Sequence, residues 1–126
     1  MILIDSRDKR PIYEQVVDKL SDLMLVGVLS EGDKLPSVRS LAMELSINPN
    51  TIQKAYIELE HQGYVYSVKG IGSFVSNMDT IKTNKKRVLF NELEVLIEKA
   101  KKIVAKKEFC EKVEEFYQKF YRTSYK

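Results

Sequence analysis

The side chains best suited to recognise another molecule lie close together between Asn48 and Lys54. The amides of Asn50 and Gln53 can pair with an adenine edge, and the Lys54 amine can donate a hydrogen bond to guanine. Thr51 lies on the same predicted polar face. These residues are typical of a surface that reads DNA bases, although the solvated face of an ordinary amphipathic helix carries the same residue types.

Residues for catalysis are scarce. The sequence contains one histidine, His61, and one cysteine, Cys110, and this cysteine has no companion for a disulfide or a metal site. The sequence also contains no phosphate-cradling glycine loop and no cluster of metal-ligating residues. We therefore expect neither an enzyme nor a bound cofactor or metal ion.

The net charge of +3 is unevenly distributed over the 126 residues. Residues 1–78 contain 8 Lys/Arg and 10 Asp/Glu, a net charge of −2, whereas residues 79–126 contain 13 and 8, a net charge of +5. Overall basicity therefore does not support DNA binding by the N-terminal part, and the case depends on individual side chains.

Membrane segments are not expected. The sequence has no apolar run that approaches the roughly 18–20 residues needed to span a bilayer. The first residues become charged at once and lack the basic start and long apolar stretch of a signal peptide. We expect a cytoplasmic protein with no membrane partner.

Two amphipathic helices are predicted first. Pro11 occupies the first helical position of one, and Gly27 ends it. Ser37 is the predicted N-cap of the other. Apolar residues recur at helical spacing in both: Ile12, Val16, Leu20, Leu23 and Met24 in the first, and Val38, Leu41, Ala42 and Leu45 in the second.

A third helix follows after only Ser46 and Ile47. Asn48 is its predicted N-cap, Pro49 is its first residue, and Gly63 terminates it. Its buried stripe is predicted to be Ile52, Ala55, Tyr56 and Leu59. Two short amphipathic helices joined by a tight turn form a helix-turn-helix.

A β-hairpin is predicted directly after the third helix, with strands at 64–68 and 73–76 and a turn at 69–72. Glycines at its tip permit positive φ and let the backbone approach another surface closely. A hairpin at this place is a wing. The residues Ile2, Leu3 and Ile4 form a further short β-prone segment.

The C-terminal part is predicted to be helical after a polar linker at 78–87. Apolar residues recur at spacings of three and four: Leu89, Leu93, Leu96, Ala100 and Ile103, then Phe109, Val113, Phe116 and Phe120. Lys107 breaks the phase, which predicts two helices with a turn near 104–107. One bent helix stays an alternative, because this turn contains neither Gly nor Pro.

The element order and several motifs resemble the GntR family of bacterial winged-helix regulators, over about residues 2–77. The matching segments are 11–15, 32–39, 41–42, 48–56, 59–60, 63–65 and 70–75. Most members carry a large effector-binding domain after the wing, but only 49 residues follow Asn77 here. This short tail resembles the YtrA-like subfamily, whose members are typically dimeric repressors, often of ABC-transporter operons.

Pattern and resemblance together predict a mainly α fold with a small β-hairpin. Residues 1–77 would form a winged helix-turn-helix DNA-binding domain, 78–87 a linker, and 88–126 a two-helix dimerisation tail. The expected function is sequence-specific transcription regulation, as a repressor. A winged-helix module that binds protein instead is the alternative, favoured by the net charge of −2 in residues 1–78.

The resemblance implies that the third helix enters the major groove with its N-terminal residues at the base edges. Arg39 resembles the family's DNA-contacting arginine, as a phosphate clamp or a donor to guanine, unless it pairs with Glu44. The wing tip would approach the backbone or minor groove. The predicted contacts are Ser37, Arg39, Asn48, Asn50, Thr51, Gln53, Lys54, Tyr56, Lys69, Gly70 and Gly72. Ser37 would also cap its helix, and Tyr56 would lie mainly in the core.

A homodimer is expected because one subunit offers few basic contacts and the tail is too apolar to leave in water. The predicted dimerisation residues are Leu89, Leu93, Leu96, Ile103, Phe109, Val113, Phe116 and Phe120. Two-fold pairing predicts an inverted-repeat operator in double-stranded DNA. The tail packing on its own DNA-binding domain stays an alternative, and control by a small-molecule effector stays open.

Overall fold

The computed structural model describes residues 4–124 and contains five α-helices and one β-hairpin within them. The elements are α1 (Ile12–Leu25), α2 (Val38–Leu45), α3 (Pro49–His61), β1 (Val65–Val68), β2 (Gly72–Val75), α4 (Met78–Ala100) and α5 (Lys106–Ser124). The chain divides into two compact units, the first ending at Lys86 and the second beginning at Arg87. The β-prone residues Ile2 and Leu3 lie outside the described residues.

Helix α1 provides one side of the core of the first unit. Val16, Leu20 and Met24 follow one another at intervals of four residues and are at most 2% exposed, as an amphipathic helix requires. Pro11 has an extended ψ of 146° and serves as the N-cap, so α1 begins one residue later than predicted. The buried Gln15 accepts a hydrogen bond from the Asp5 N–H at 3.1 Å, which ties the preceding segment to α1.

Helices α2 and α3 form the predicted helix-turn-helix. The Ser37 hydroxyl accepts a hydrogen bond from the Ser40 N–H at 3.0 Å, and the Asn48 side chain accepts one from the Asn50 N–H at 2.8 Å. Both predicted N-caps are therefore confirmed. Between the helices Ser46 adopts a left-handed φ of 54°, which turns the chain within two residues.

The wing is the predicted antiparallel hairpin, with Val65 opposite Val75 and Val68 opposite Gly72. It also pairs with the segment before α2, because the Leu35 N–H donates to the Ser73 carbonyl and the Val75 N–H to the Asp33 carbonyl, each at 2.9 Å. No strand is predicted from the sequence for this segment. This pairing joins residues about forty positions apart, so no local pattern indicates it.

The predicted linker at 78–87 is helical and forms the beginning of α4. The Asn77 side chain caps this helix by accepting a hydrogen bond from the Thr80 N–H at 2.8 Å. Ile81 is fully buried, Asn84 donates to the Gln62 carbonyl, and the Lys85 amine lies 3.3 Å from the Asp22 carboxylate. The segment was predicted as a linker because its composition is polar, but the burial of Ile81 and the contacts of Asn84 and Lys85 hold it as a helix.

The second unit contains the remainder of α4, an irregular turn at 101–105 and α5. Two separate helices are therefore present, and the turn begins three residues earlier than predicted. Among residues 87–121, whose side chains the structure describes, none is buried. Large apolar side chains such as Leu96 and Phe116 are about half exposed, at 52% and 51%. Within the described residues, no helix has the length and apolar character required to cross a membrane.

Tyr56→Phe tests the hydrogen bond from the Tyr56 hydroxyl to the Pro36 carbonyl, which joins α3 to the segment before α2 at 2.7 Å. Removing the donor leaves a part-buried carbonyl without its partner, so we expect the free energy of unfolding in urea to fall by about 1–2 kcal/mol. Tyr66→Phe is the matched control, because the Tyr66 side chain is 48% exposed. Equal stabilities for the two variants would contradict a structural role for this hydrogen bond.

Candidate nucleic-acid interface

One short segment, Gly32–Ser37, connects the three predicted DNA-contacting regions; we call it the connecting segment. Its residues Asp33 and Leu35 pair with β2 of the wing. Its Pro36 carbonyl accepts the hydrogen bond from Tyr56 of α3. Its last residue, Ser37, caps α2. The connecting segment therefore contacts the wing, α2 and α3.

Tyr56 has a structural position rather than a surface one. It is 7% exposed, and burial raises the pKa of its hydroxyl well above the usual range. The hydroxyl therefore stays protonated and acts as a donor to Pro36. Tyr56 is therefore a core residue, as expected, and its hydroxyl is bonded to Pro36 instead of being free to contact DNA.

The face of α3 opposite its buried stripe carries the predicted base-reading residues. Asn50, Gln53 and Lys54 are exposed, Thr51 is half-buried, and the capping residue Asn48 is exposed. The structure thus brings all five together at the N-terminal half of α3. Their side chains offer amide, hydroxyl and amine groups, the combination that recognises bases and phosphates in a major groove.

Lys54 is held in place by α1. Its amine lies 4.2 Å from the centroid of the Tyr13 ring, a cation–π contact of about 0.5–1 kcal/mol at an exposed site. Partial burial, followed by the charges of Glu14 and Glu58, raises the pKa of Tyr13, so its ring stays neutral near pH 7. Sequence reasoning missed this role because Tyr13 and Lys54 are far apart in the sequence.

Arg39 is exposed and is the second residue of α2, next to the capped N-terminus. Among the side chains that the structure describes, no carboxylate lies within 4.0 Å of its guanidinium, so the alternative pairing with Glu44 is not formed. By contrast, Arg7 pairs with Asp5, and Arg10 pairs with Asp8 and Asp18. The positive charge of Arg39 is therefore available to a ligand, whereas carboxylates partly neutralise the charges of Arg7 and Arg10.

The wing tip combines an exposed Lys69 with two glycines of positive φ, Gly70 at 78° and Gly72 at 145°. A Cβ atom at Gly72 would lie 2.9 Å from the Cε of Lys34, which crosses the hairpin at this point. Glycine therefore keeps the hairpin backbone accessible beside a second amine. Lys34 was not predicted as a site residue, because its proximity to the wing depends on the pairing of the connecting segment with β2.

An exposed polar helix, a capped helix before it and a glycine-rich wing define a winged helix-turn-helix of the DNA-binding class. The family model for "Bacterial regulatory proteins, gntR family" matches residues 12–75. The chain belongs to the GntR family and is a DNA-binding transcriptional regulator. The resemblance found in the sequence is thus confirmed, including its YtrA-like character.

Three similar proteins illustrate the relationship. The HTH-type transcriptional repressor YtrA of Bacillus subtilis is 42% identical over 99 residues, covering 77% of this chain and 76% of YtrA. A GntR family transcriptional regulator from Listeria monocytogenes has a TM-score of 0.72 and 34% identity, covering 86% of this chain and 96% of that one. The DNA-binding domain of AraR, in complex with operator ORE1, has a TM-score of 0.52 and 32% identity, and the match covers 60% of this chain and 93% of the AraR chain. These relatives are regulators and not enzymes.

Ser37→Asp separates the two predicted roles of Ser37. Aspartate is as good an N-cap as serine and interacts favourably with the helix dipole, so we expect the free energy of unfolding to stay equal or rise. Its negative charge would face DNA phosphates, and we expect affinity for the operator to fall at least about tenfold.

Ser37→Ala is the control for capping, and we expect it to lower the free energy of unfolding by about 1 kcal/mol because the bond to Ser40 is lost. Urea titration and fluorescence anisotropy measure the two quantities. Unchanged DNA affinity in Ser37→Asp would place residue 37 outside the contact surface.

Proposed function

We propose that this chain is a cytoplasmic, homodimeric repressor that binds an inverted-repeat operator in double-stranded DNA, of the kind that controls an ABC-transporter operon. The observation that carries the proposal is the attachment of α2, α3 and the wing to the connecting segment. It orients three candidate contact regions as one rigid group, which a DNA-reading surface needs.

Within this proposal, α3 enters the major groove. Asn50, Gln53 and Lys54 meet base edges, and Asn48 and Thr51 contact the neighbouring backbone. Ser37 and Arg39 bind phosphate at the start of α2, where helix N–H groups favour an anion. Lys69, Gly70 and Gly72 approach the backbone or minor groove beside the wing. The operator complex of the AraR DNA-binding domain supports this use of a similar fold.

Homodimerisation is supported by the lack of any buried side chain among residues 87–121. An isolated pair of helices with half-exposed Phe116 and Leu96 is unstable in water, and burying each such side chain contributes about 1.5–3 kcal/mol. The partly buried Leu93 and Phe109, and the exposed Leu89, Ile103, Val113 and Phe120, continue the same predicted dimer face. A two-fold pair of DNA-binding units requires two half-sites in inverted orientation.

Repression is supported by the name of the Bacillus subtilis relative, a transcriptional repressor. A dimeric repressor acts by occupying its operator. The competing function is protein binding by the winged helix without sequence-specific DNA recognition. The net charge of −2 in residues 1–78 favours that alternative, because it opposes attraction to a polyanion.

Selection of bound duplexes from a random DNA pool tests the operator. We expect an inverted repeat to be enriched, and we expect Arg39→Ala to weaken binding of this duplex by about 1–3 kcal/mol without unfolding, because a charge-assisted contact is lost. Lys19→Ala, at an exposed position on α1, is the control. Failure of the folded protein to enrich any sequence would favour the protein-binding alternative, and full affinity of Arg39→Ala would remove this residue from the site.

Phe116→Glu tests the dimer. In a two-fold interface it buries two carboxylates, at a cost of several kcal/mol for each ion, so we expect a monomer by sedimentation at concentrations where the wild type is dimeric. Gln118→Glu adds the same charge to an exposed position two residues away, about 200° around α5, and should remain dimeric. A monomeric wild type, or a dimeric Phe116→Glu variant, would overturn the assignment of this face.

A further inference from the structure

Five exposed lysines surround the turn between α4 and α5, and we call them the lysine turn: Lys99, Lys101, Lys102, Lys106 and Lys107. Residues 99–107 contain no acidic residue, so five positive charges lie within nine positions. The turn is ordered by backbone hydrogen bonds, from Val104 N–H to the Ala100 carbonyl at 2.8 Å and from Phe109 N–H to the Ala105 carbonyl at 3.0 Å. The charges therefore sit on a defined structure rather than on a loose tail.

Helix stability explains only some of these lysines. Lys99 lies in the last turn of α4, and Lys101 and Lys102 directly follow this helix, where its dipole favours positive charge. Lys106 and Lys107 begin α5, where the same dipole disfavours positive charge, and Glu108 is the only acidic residue in that first turn. Two lysines thus occupy positions that weaken the helix that carries them.

Ion pairing does not explain them either. Among the side chains that the structure describes, none of the five lysines lies within 4.0 Å of a carboxylate, whereas Lys112 of the same unit pairs with Glu115. Neighbouring residues have Cα atoms about 3.8 Å apart, well inside the Debye length of about 10 Å at 0.1 M salt. Their mutual repulsion is therefore only partly screened, and a bound polyanion would relieve it.

We propose that the lysine turn binds the phosphate backbone of DNA as a second contact surface, independent of sequence. The other residues of 99–107 are alanine, isoleucine and valine, so no side chain there can read a base. Lysine amines contact phosphates as point charges. The need for such a contact follows from the charge distribution, because residues 1–78 have a net charge of −2 and residues 79–126 one of +5.

An anionic membrane is the competing polyanion, and the structure favours it less. A basic segment binds stably at a bilayer surface only with a second, apolar contribution of substantial area. At the lysine turn this contribution is Ile103, which is 86% exposed, beside the partly buried Val104. Ile103 also belongs to the apolar face assigned to the proposed dimer, and an interface that covers this face would leave the lysines without an apolar contribution.

The test compares two full-length variants with equal loss of charge. One carries Lys102→Gln, Lys106→Gln and Lys107→Gln. The control carries Lys19→Gln, Lys82→Gln and Lys86→Gln, which remove three exposed lysines from the first unit. Affinity for a duplex without the operator is measured between 50 and 200 mM salt. Log affinity falls linearly with log salt, with a slope whose magnitude is about 0.9 per phosphate contact.

We expect the lysine-turn variant to lose at least about 0.9 from this slope per subunit, and its affinity at the lowest salt to fall at least about fivefold. The slope for the control variant should change by less than the value for one phosphate contact. The melting temperature of the lysine-turn variant should not decrease, because glutamine at 106 and 107 removes two charges that the dipole of α5 disfavours, against one favourable charge removed at 102. Lys107→Gln alone gives the same comparison with a smaller perturbation if the triple variant does not fold.

Equal changes in the two variants, or an unchanged slope, would overturn the proposal. Binding of the wild type to phosphatidylglycerol vesicles together with an unchanged DNA slope would assign the turn to lipid instead. The ratio of affinities for operator and non-operator duplexes should stay within about twofold in the lysine-turn variant, since backbone contacts carry no sequence information. The measurement on the non-operator duplex remains decisive even if no operator is found, which separates this proposal from the proposed function.

Discussion

One segment, which accepts a hydrogen bond from α3, orients the wing, α2 and α3 relative to one another in the DNA-binding unit. The buried Tyr56 hydroxyl donates to the Pro36 carbonyl, and the residues on either side pair with the wing and cap α2. A short segment that forms hydrogen bonds with three elements in succession has little freedom to move. Because recognition of DNA requires contact residues held to within a fraction of an ångström, this rigidity is the basis on which specific binding rests.

In the proposed mode of binding, different parts of the molecule recognise DNA bases and supply electrostatic attraction to DNA. The face of α3 and the wing offer groups that can distinguish base pairs, yet residues 1–78 have a net negative charge. Electrostatic attraction supplies nearly all of non-specific DNA affinity. The lysine turn, and the second subunit of the proposed dimer, would add positive charge without changing the base-reading surface of α3. Substitutions in one part would then change selectivity among DNA sequences, and substitutions in the other would change overall affinity for DNA.

Local sequence signals predicted most of the elements. Ser37 and Asn48 are helix caps as expected, because an N-cap interaction spans only two or three residues. The same local basis explains why the polar stretch 78–87 was wrongly predicted as a linker, since its helix is held by Ile81 and by contacts with residues distant in the sequence. The positioning of Lys54 by Tyr13 was missed for the same reason. The DNA contacts themselves stay predictions, supported by exposure and proximity.

The sequence by itself determined the helix-turn-helix, the hairpin, the motifs of the GntR family and the uneven distribution of charge. These features depend on apolar spacing, caps and glycines within short windows. Only the tertiary structure decided that the segment before α2 pairs with β2, that α4 begins directly after Asn77, and that residues 87–121 bury no side chain. Such features arise from hydrogen bonds and burial between residues far apart in the chain, whose free energies no local pattern contains.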